Sequence, residues 1–87
     1  MTESQSEITL DLSGLLCPLP VLKARKKLQE LKPGAVLHVI ATDPMATIDM
    51  PHFCTEQGHT LLRQEKAGGT LHFWIWPNPA PSTRTGL

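Results

Sequence analysis

The chain has 87 residues, two cysteines, and eight basic side chains balanced by eight acidic ones. That length suits one small domain with one modest core. Two cysteines are too few for a disulfide scaffold, and the balanced charge makes no electrostatic case for direct nucleic-acid binding. The opening Met1-Thr2-Glu3-Ser4-Gln5-Ser6-Glu7 lacks a basic region followed by an apolar run, so no signal peptide is expected. No apolar stretch approaches the ~20 residues that span a bilayer. The expectation is a soluble, cytoplasmic chain with free thiols and no membrane partner.

Ile8-Thr9-Leu10-Asp11-Leu12 alternates apolar and polar residues and predicts a half-buried strand, broken by Ser13-Gly14. From about Pro18 to Leu31 the periodicity becomes helical. Val21, Ala24, Leu28 and Leu31 form one stripe with Leu22 at its edge, and Lys23, Lys26, Lys27 and Glu30 face the other way. Lys32-Pro33-Gly34 is a stop signal. Val36 to Thr42, rich in β-branched and apolar residues, reads as a central strand. Asp43-Pro44 resembles a helix start with an acidic cap, and the helix extends to about Gln57 and stops at Gly58. Pro51 either kinks it or marks a fresh start after Asp49. Thr60 to Lys66 and Thr70 to Trp76 flank Ala67-Gly68-Gly69 and predict a β-hairpin. Residues 77–87 are rich in proline and small polar side chains, and are expected to be a disordered tail to a single domain at 1–76.

The order is thus β-α-β-α-β-β, an α/β (α+β) chain. A strand, helix, strand unit gives a parallel pair with a right-handed crossover, and the hairpin adds antiparallel pairing. Two helices suffice to cover one face of a four-stranded mixed sheet. On the last strand Leu71, Phe73 and Ile75 then point to the core. His72, Trp74 and Trp76 point to the open face, together with His38.

The most informative feature is Cys17-Pro18-Leu19-Pro20 at the strand-to-helix junction. With Cys17 as N-cap, Pro18 takes the first helical position and Pro20 the third, where neither loses an intrahelical bond. The Leu19 amide is then free to point at the sulfur, and the positive end of the helix favours a thiolate. Helix N-termini lower a thiol from about 8.5 to roughly 3.5–7.5. Because Pro20 disfavours α dihedrals at Leu19, the helix alternatively begins one or two residues later, with the sulfur just outside it. There is no Cys-x-x-Cys, which argues against dithiol exchange and suits a thiol that accepts one sulfur atom and passes it on. The bland alternative is a small buried apolar cysteine behind a helix-starting proline.

With these residues the chain resembles the TusA (SirA-like) sulfur-carrier family. The matching features are Asp11-Leu12-Ser13-Gly14-Leu15-Leu16-Cys17-Pro18-Leu19-Pro20, Lys32-Pro33-Gly34, Thr42-Asp43-Pro44, Asp49-Met50-Pro51, Cys54 and Gly58-His59. They span about Leu10 to Trp76. The resemblance implies a two-layer α/β sandwich and a persulfide carried on Cys17. It also implies a sulfur donor of the cysteine desulfurase or rhodanese type and an acceptor protein, as in tRNA 2-thiouridine synthesis, sulfur oxidation or molybdenum-cofactor biosynthesis. No cofactor is implied.

Other residues carry weaker expectations. Lys23, Arg25, Lys26 and Lys27 either dock an acidic partner or form a solvated helix face. Cys54 is expected to pack as a small apolar residue rather than act as a resolving thiol. His52, Cys54 and His59 have poor spacing for a metal, because residues two apart on a helix do not share a face. Asp43 is expected to cap a helix and Gly14 to serve a turn. Trp74 and Trp76, with His72, are expected to form a partner-binding patch. The competing function is a non-catalytic regulatory or RNA/protein-binding module that uses the open sheet face. A thiol-disulfide reductase would need Cys17 and Cys54 to approach.

Overall fold

The computed structural model describes residues 6–32 and 34–77. The expected tail from 78 onward and Pro33 of the stop signal lie outside the described residues. The elements are β1 (Ser6–Leu12), α1 (Leu19–Glu30), β2 (Ala35–Ala41), α2 (Ala46–Gln57), β3 (Thr60–Ala67) and β4 (Thr70–Trp76). This is the β-α-β-α-β-β order expected from the sequence.

The four strands form one mixed sheet in the order β1-β2-β4-β3. β1 and β2 are parallel, so α1 is the crossover between them. β4 inserts antiparallel beside β2, and β3 closes the hairpin at the far edge. Gly68, at φ 63°, supplies the left-handed residue of the hairpin turn.

Alternation along β2 and β4 sends Leu37, Val39, Ala41, Leu71, Phe73 and Ile75 to the helix-covered face, where all are buried. Ala24 and Leu28 of α1 pack onto them, as do Ala46, Met50, Phe53 and Cys54 of α2. Val21 and Leu31 of the predicted α1 stripe are partly buried against this core, while Leu22 stays exposed.

The helix boundaries correct the sequence reading in two places. α1 begins at Leu19, with Pro18 in the N-cap position after a cis Cys17–Pro18 peptide. Cys17 is therefore not the N-cap and Pro18 is not the first helical residue. The alternative of a later start, with the sulfur just outside the helix, describes the chain. α2 begins at Ala46 rather than at Asp43-Pro44 and continues unbroken through Pro51. The proline sacrifices one amide donor in the second turn without a fresh start. At the other end Gly58, at φ 77°, closes α2, and its amide bonds back into the last turn.

One feature of β3 reverses simple alternation. Leu61 pairs with Ile75 and Arg63 with Trp74, so Leu62 is an extra, bulged residue. The bulge lets Leu61 pack against the core while Arg63, two residues on, lies beside Trp74 on the opposite face.

Candidate functional site

Because β1 and β2 are parallel neighbours, the segments that leave their carboxyl ends meet at the same end of the sheet. Cys17 follows β1, and Asp43 and Asp49 follow β2. The turn after β1 is fixed locally. Asp11 Oδ1 accepts from the Ser13 amide at 3.0 Å and from Ser13 Oγ at 2.6 Å. These bonds hold the Asp11 carboxyl below its usual range. Gly14 then adopts φ 85°, and its amide donates to Thr42 Oγ1 at 2.8 Å, tying the turn to the end of β2.

Asp43 is buried and joins the two loops. Its Oδ2 accepts from the Cys17 amide at 2.6 Å, and its Oδ1 accepts from the Met45 amide at 3.0 Å. The expectation of a helix cap is met in part. Asp43 satisfies an amide at the entrance of α2, but the N-cap position belongs to Met45. Its second bond, to the backbone of Cys17, was not expected. That bond sets where the thiol stands.

The thiol is exposed, which excludes the buried-cysteine alternative. It does not receive the Leu19 amide, because that donor is bonded to the Leu16 carbonyl at 2.9 Å. Instead Cys17 Sγ donates to Asp49 Oδ2 at 3.0 Å. The expectation of a thiol lowered by the helix entrance is therefore overturned. The Asp49 hydrogen bond raises the Cys17 thiol above its ordinary value, with smaller contributions from desolvation and from the charges of Asp49 and Asp43.

A groove of about 330 Å³ runs beside the sulfur between the two helices. Pro18, Val21 and Arg25 of the α1 side face Asp49, His52 and Phe53 of α2 across it. The surrounding surface is apolar. Leu16, Leu19, Leu22, Met45 and Ile48 are between 42% and 66% exposed, and they sit on the segments that carry Cys17, Asp43 and Asp49.

Of the other predicted residues, Arg25 lines the groove, Lys27 lies 4.0 Å from Glu30, and Lys23 and Lys26 are exposed on α1. Cys54 is buried in the core, and burial pushes its thiol up to about 11. It packs as an apolar residue, as expected, and both cysteines are free thiols. His52 pairs with Glu56 at 3.4 Å, while His59 tilts against Phe53 at 5.7 Å between ring centroids. Among the described residues no group of three or more His, Cys, Asp or Glu side chains could hold a metal ion.

The bare face of the sheet carries His38, His72 and Trp74, as expected, and they engage one another. His38 and Trp74, paired across β2 and β4, stack at 4.4 Å with an interplanar angle of 8°. His38 Nε2 and His72 Nδ1 share a hydrogen bond of 2.8 Å, one ring donating and the other accepting. Glu7 stands 3.6 Å from the other nitrogen of His38, and the Arg63 guanidinium lies 4.8 Å from the centroid of a Trp74 ring. Arg63 is itself bonded to Glu65. Trp74 is thus engaged from both neighbouring strands. Trp76 is half-buried at the end of β4.

Asp49 is the site residue that sequence reading missed. It belonged to the matched Asp49-Met50-Pro51 segment, yet it is 32 positions from Cys17. The available signal was topological: both helices start from the carboxyl ends of adjacent parallel strands.

Comparison with known proteins agrees with this picture. A family model described as Sulfurtransferase TusA matches residues 8–76. A sulfur carrier protein TusA of Pseudomonas entomophila is 48% identical over 75 residues, covering 86% of this chain and 94% of that protein. One from Pseudomonas aeruginosa is 47% identical over the same coverage. One from Allochromatium vinosum is 48% identical over 66 residues, covering 76% of this chain and 87% of its own. With the family's match running from β1 to the end of β4 and the Cys17 loop inside it, the chain belongs to the TusA family of sulfur carriers.

Proposed function

We propose that Cys17 accepts sulfane sulfur as a persulfide and delivers it to an acceptor protein in the cytoplasm. The observation that carries this reading is an exposed thiol on segments that also carry the exposed apolar side chains Leu16, Leu19, Leu22, Met45 and Ile48, a surface suited to successive docking of two partners. In loading, the Cys17 thiolate attacks the outer sulfur of a donor persulfide, a new S–S bond forms, and the donor sulfur leaves as a thiolate. In delivery, an acceptor thiolate attacks the outer sulfur and Cys17 is the leaving group. Neither step changes the electron count or calls on a cofactor. Donors of the cysteine desulfurase or rhodanese type fit, and tRNA 2-thiouridine synthesis is one destination for the sulfur. Pro18, Leu19, Pro20 and Gly14 hold the thiol loop. Arg25, with Lys23, Lys26 and Lys27, supplies positive charge along one side of the docking surface.

The test is incubation with a cysteine desulfurase and cysteine, followed by intact mass measurement. The chain gains one sulfur atom. Cys17→Ser gains none. An adduct that persists in Cys17→Ser, or never forms in the native chain, overturns the reading.

A further inference from the structure

The contact between Cys17 Sγ and Asp49 Oδ2, at 3.0 Å, has a built-in direction. An ionised carboxylate only accepts hydrogen bonds, so the sulfur must keep its proton to make it. A thiolate at that place would face the carboxylate with no proton between them. Both partners are held in position: the Cys17 backbone by Asp43, and Asp49 by its place in the first turn of α2.

The charged groups around the sulfur come from three elements. Asp43 lies on the loop after β2. Asp49, His52 and Glu56 project from α2, and Arg25 from α1. His52 and Glu56 pair with each other. Among the described residues, the two side chains that hydrogen-bond to Cys17 are both acidic.

Resting on the persulfide reading, we propose that Asp49 gates the nucleophile, holding Cys17 as a quiet thiol in the empty carrier and losing that hold once sulfur is attached. In the loading step the thiol proton goes to solvent, Sγ bonds the donor's outer sulfur, and the donor's S–S bond breaks. The donor thiolate then takes a proton from solvent, so atoms and charge balance. Once loaded, Sγ has no proton to give and the hydrogen bond to Asp49 is lost. The outer sulfur is now one S–S bond, about 2.05 Å, beyond Sγ, and the repulsion of the carboxylates toward an approaching acceptor thiolate is weaker there. The empty carrier is thereby shielded from adventitious oxidation and alkylation, and the loaded carrier is released to react.

The experiment is the rate of Cys17 alkylation by iodoacetamide across pH, read by peptide mass on the full chain. Asp49→Asn is expected to move the profile to lower pH, raising the rate at neutral pH about tenfold for each unit of movement. Asp49→Glu retains the charge and keeps the profile closer to that of the native chain. Glu30→Gln, at the far end of α1, leaves it in place. A profile for Asp49→Asn that coincides with the native one, or lies above it in pH, overturns the gate. Should Asp49→Asn fail to fold, the native chain is compared with itself in guanidinium. The gate requires the folded profile to lie at higher pH than the unfolded one, and coincidence overturns it. A native chain that takes no sulfur from the desulfurase fails the persulfide reading whatever its alkylation profile. One that loads normally while its profile ignores Asp49 fails the gate alone.

Discussion

The two ends of this small fold treat exposed side chains in opposite ways. On the bare sheet face, His38, His72, Trp74 and Arg63 engage one another by stacking, hydrogen bonding and cation–π contact. At the thiol end, Leu16, Leu19, Leu22, Met45 and Ile48 are left facing water around a polar centre of Cys17, Asp43 and Asp49. The aromatic face is largely satisfied from within, and the thiol end carries the exposed apolar side chains.

That contrast is open to direct attack. The largest separation is expected from Ile48→Glu. A charge placed in the apolar margin should slow sulfur loading about tenfold, the effect of losing one good docking contact, with the urea midpoint unchanged. A midpoint shift without slower loading would make the margin structural. Trp74→Ala should do the reverse, costing about 2 kcal/mol in urea unfolding through its stacking and cation–π partners while loading continues at the native rate. Loss of loading in that variant would return the sheet face to function.

The smallest effect sharpens the difference between the two thiols. Cys54 is buried, and its folded value of about 11 lies above the ordinary 9.0 of a free thiol. The unfolded chain therefore ionises first as pH rises, and the folded state holds more protons. Stability is fully present below about 9 and falls toward about 11, by at most ~1.4 kcal/mol per pH unit. Urea midpoints through this window should decline in the native chain and decline less steeply in Cys54→Ala. Equal slopes would remove Cys54 as the cause. The Cys17 thiol is also raised in the folded chain and adds to the same limb, and its share remains in Cys54→Ala.

Most of the architecture was legible because it rests on local chemistry. Alternation in Ile8–Leu12 and Leu71–Ile75, the Ala24 and Leu28 stripe, and the glycines at 58 and 68 each act within a few residues of themselves. The position and exposure of Cys17 followed in the same way from its prolines and its strand-to-helix junction.

What the sequence did not disclose was long-range. The bond from Cys17 to Asp49 crosses 32 positions, and that from Cys17 to Asp43 crosses 26. Both exist because β1 and β2 lie parallel and release their chains at one end. The bulge at Leu62, which carries Arg63 to Trp74, depends on pairing with β4 and leaves no mark in the alternation of β3. The thiol's identity and placement were thus determined by its own neighbours in the chain. Its electrostatic surroundings were decided only when folding brought two distant carboxylates to it, because electrostatic environment is a property of who is near in space.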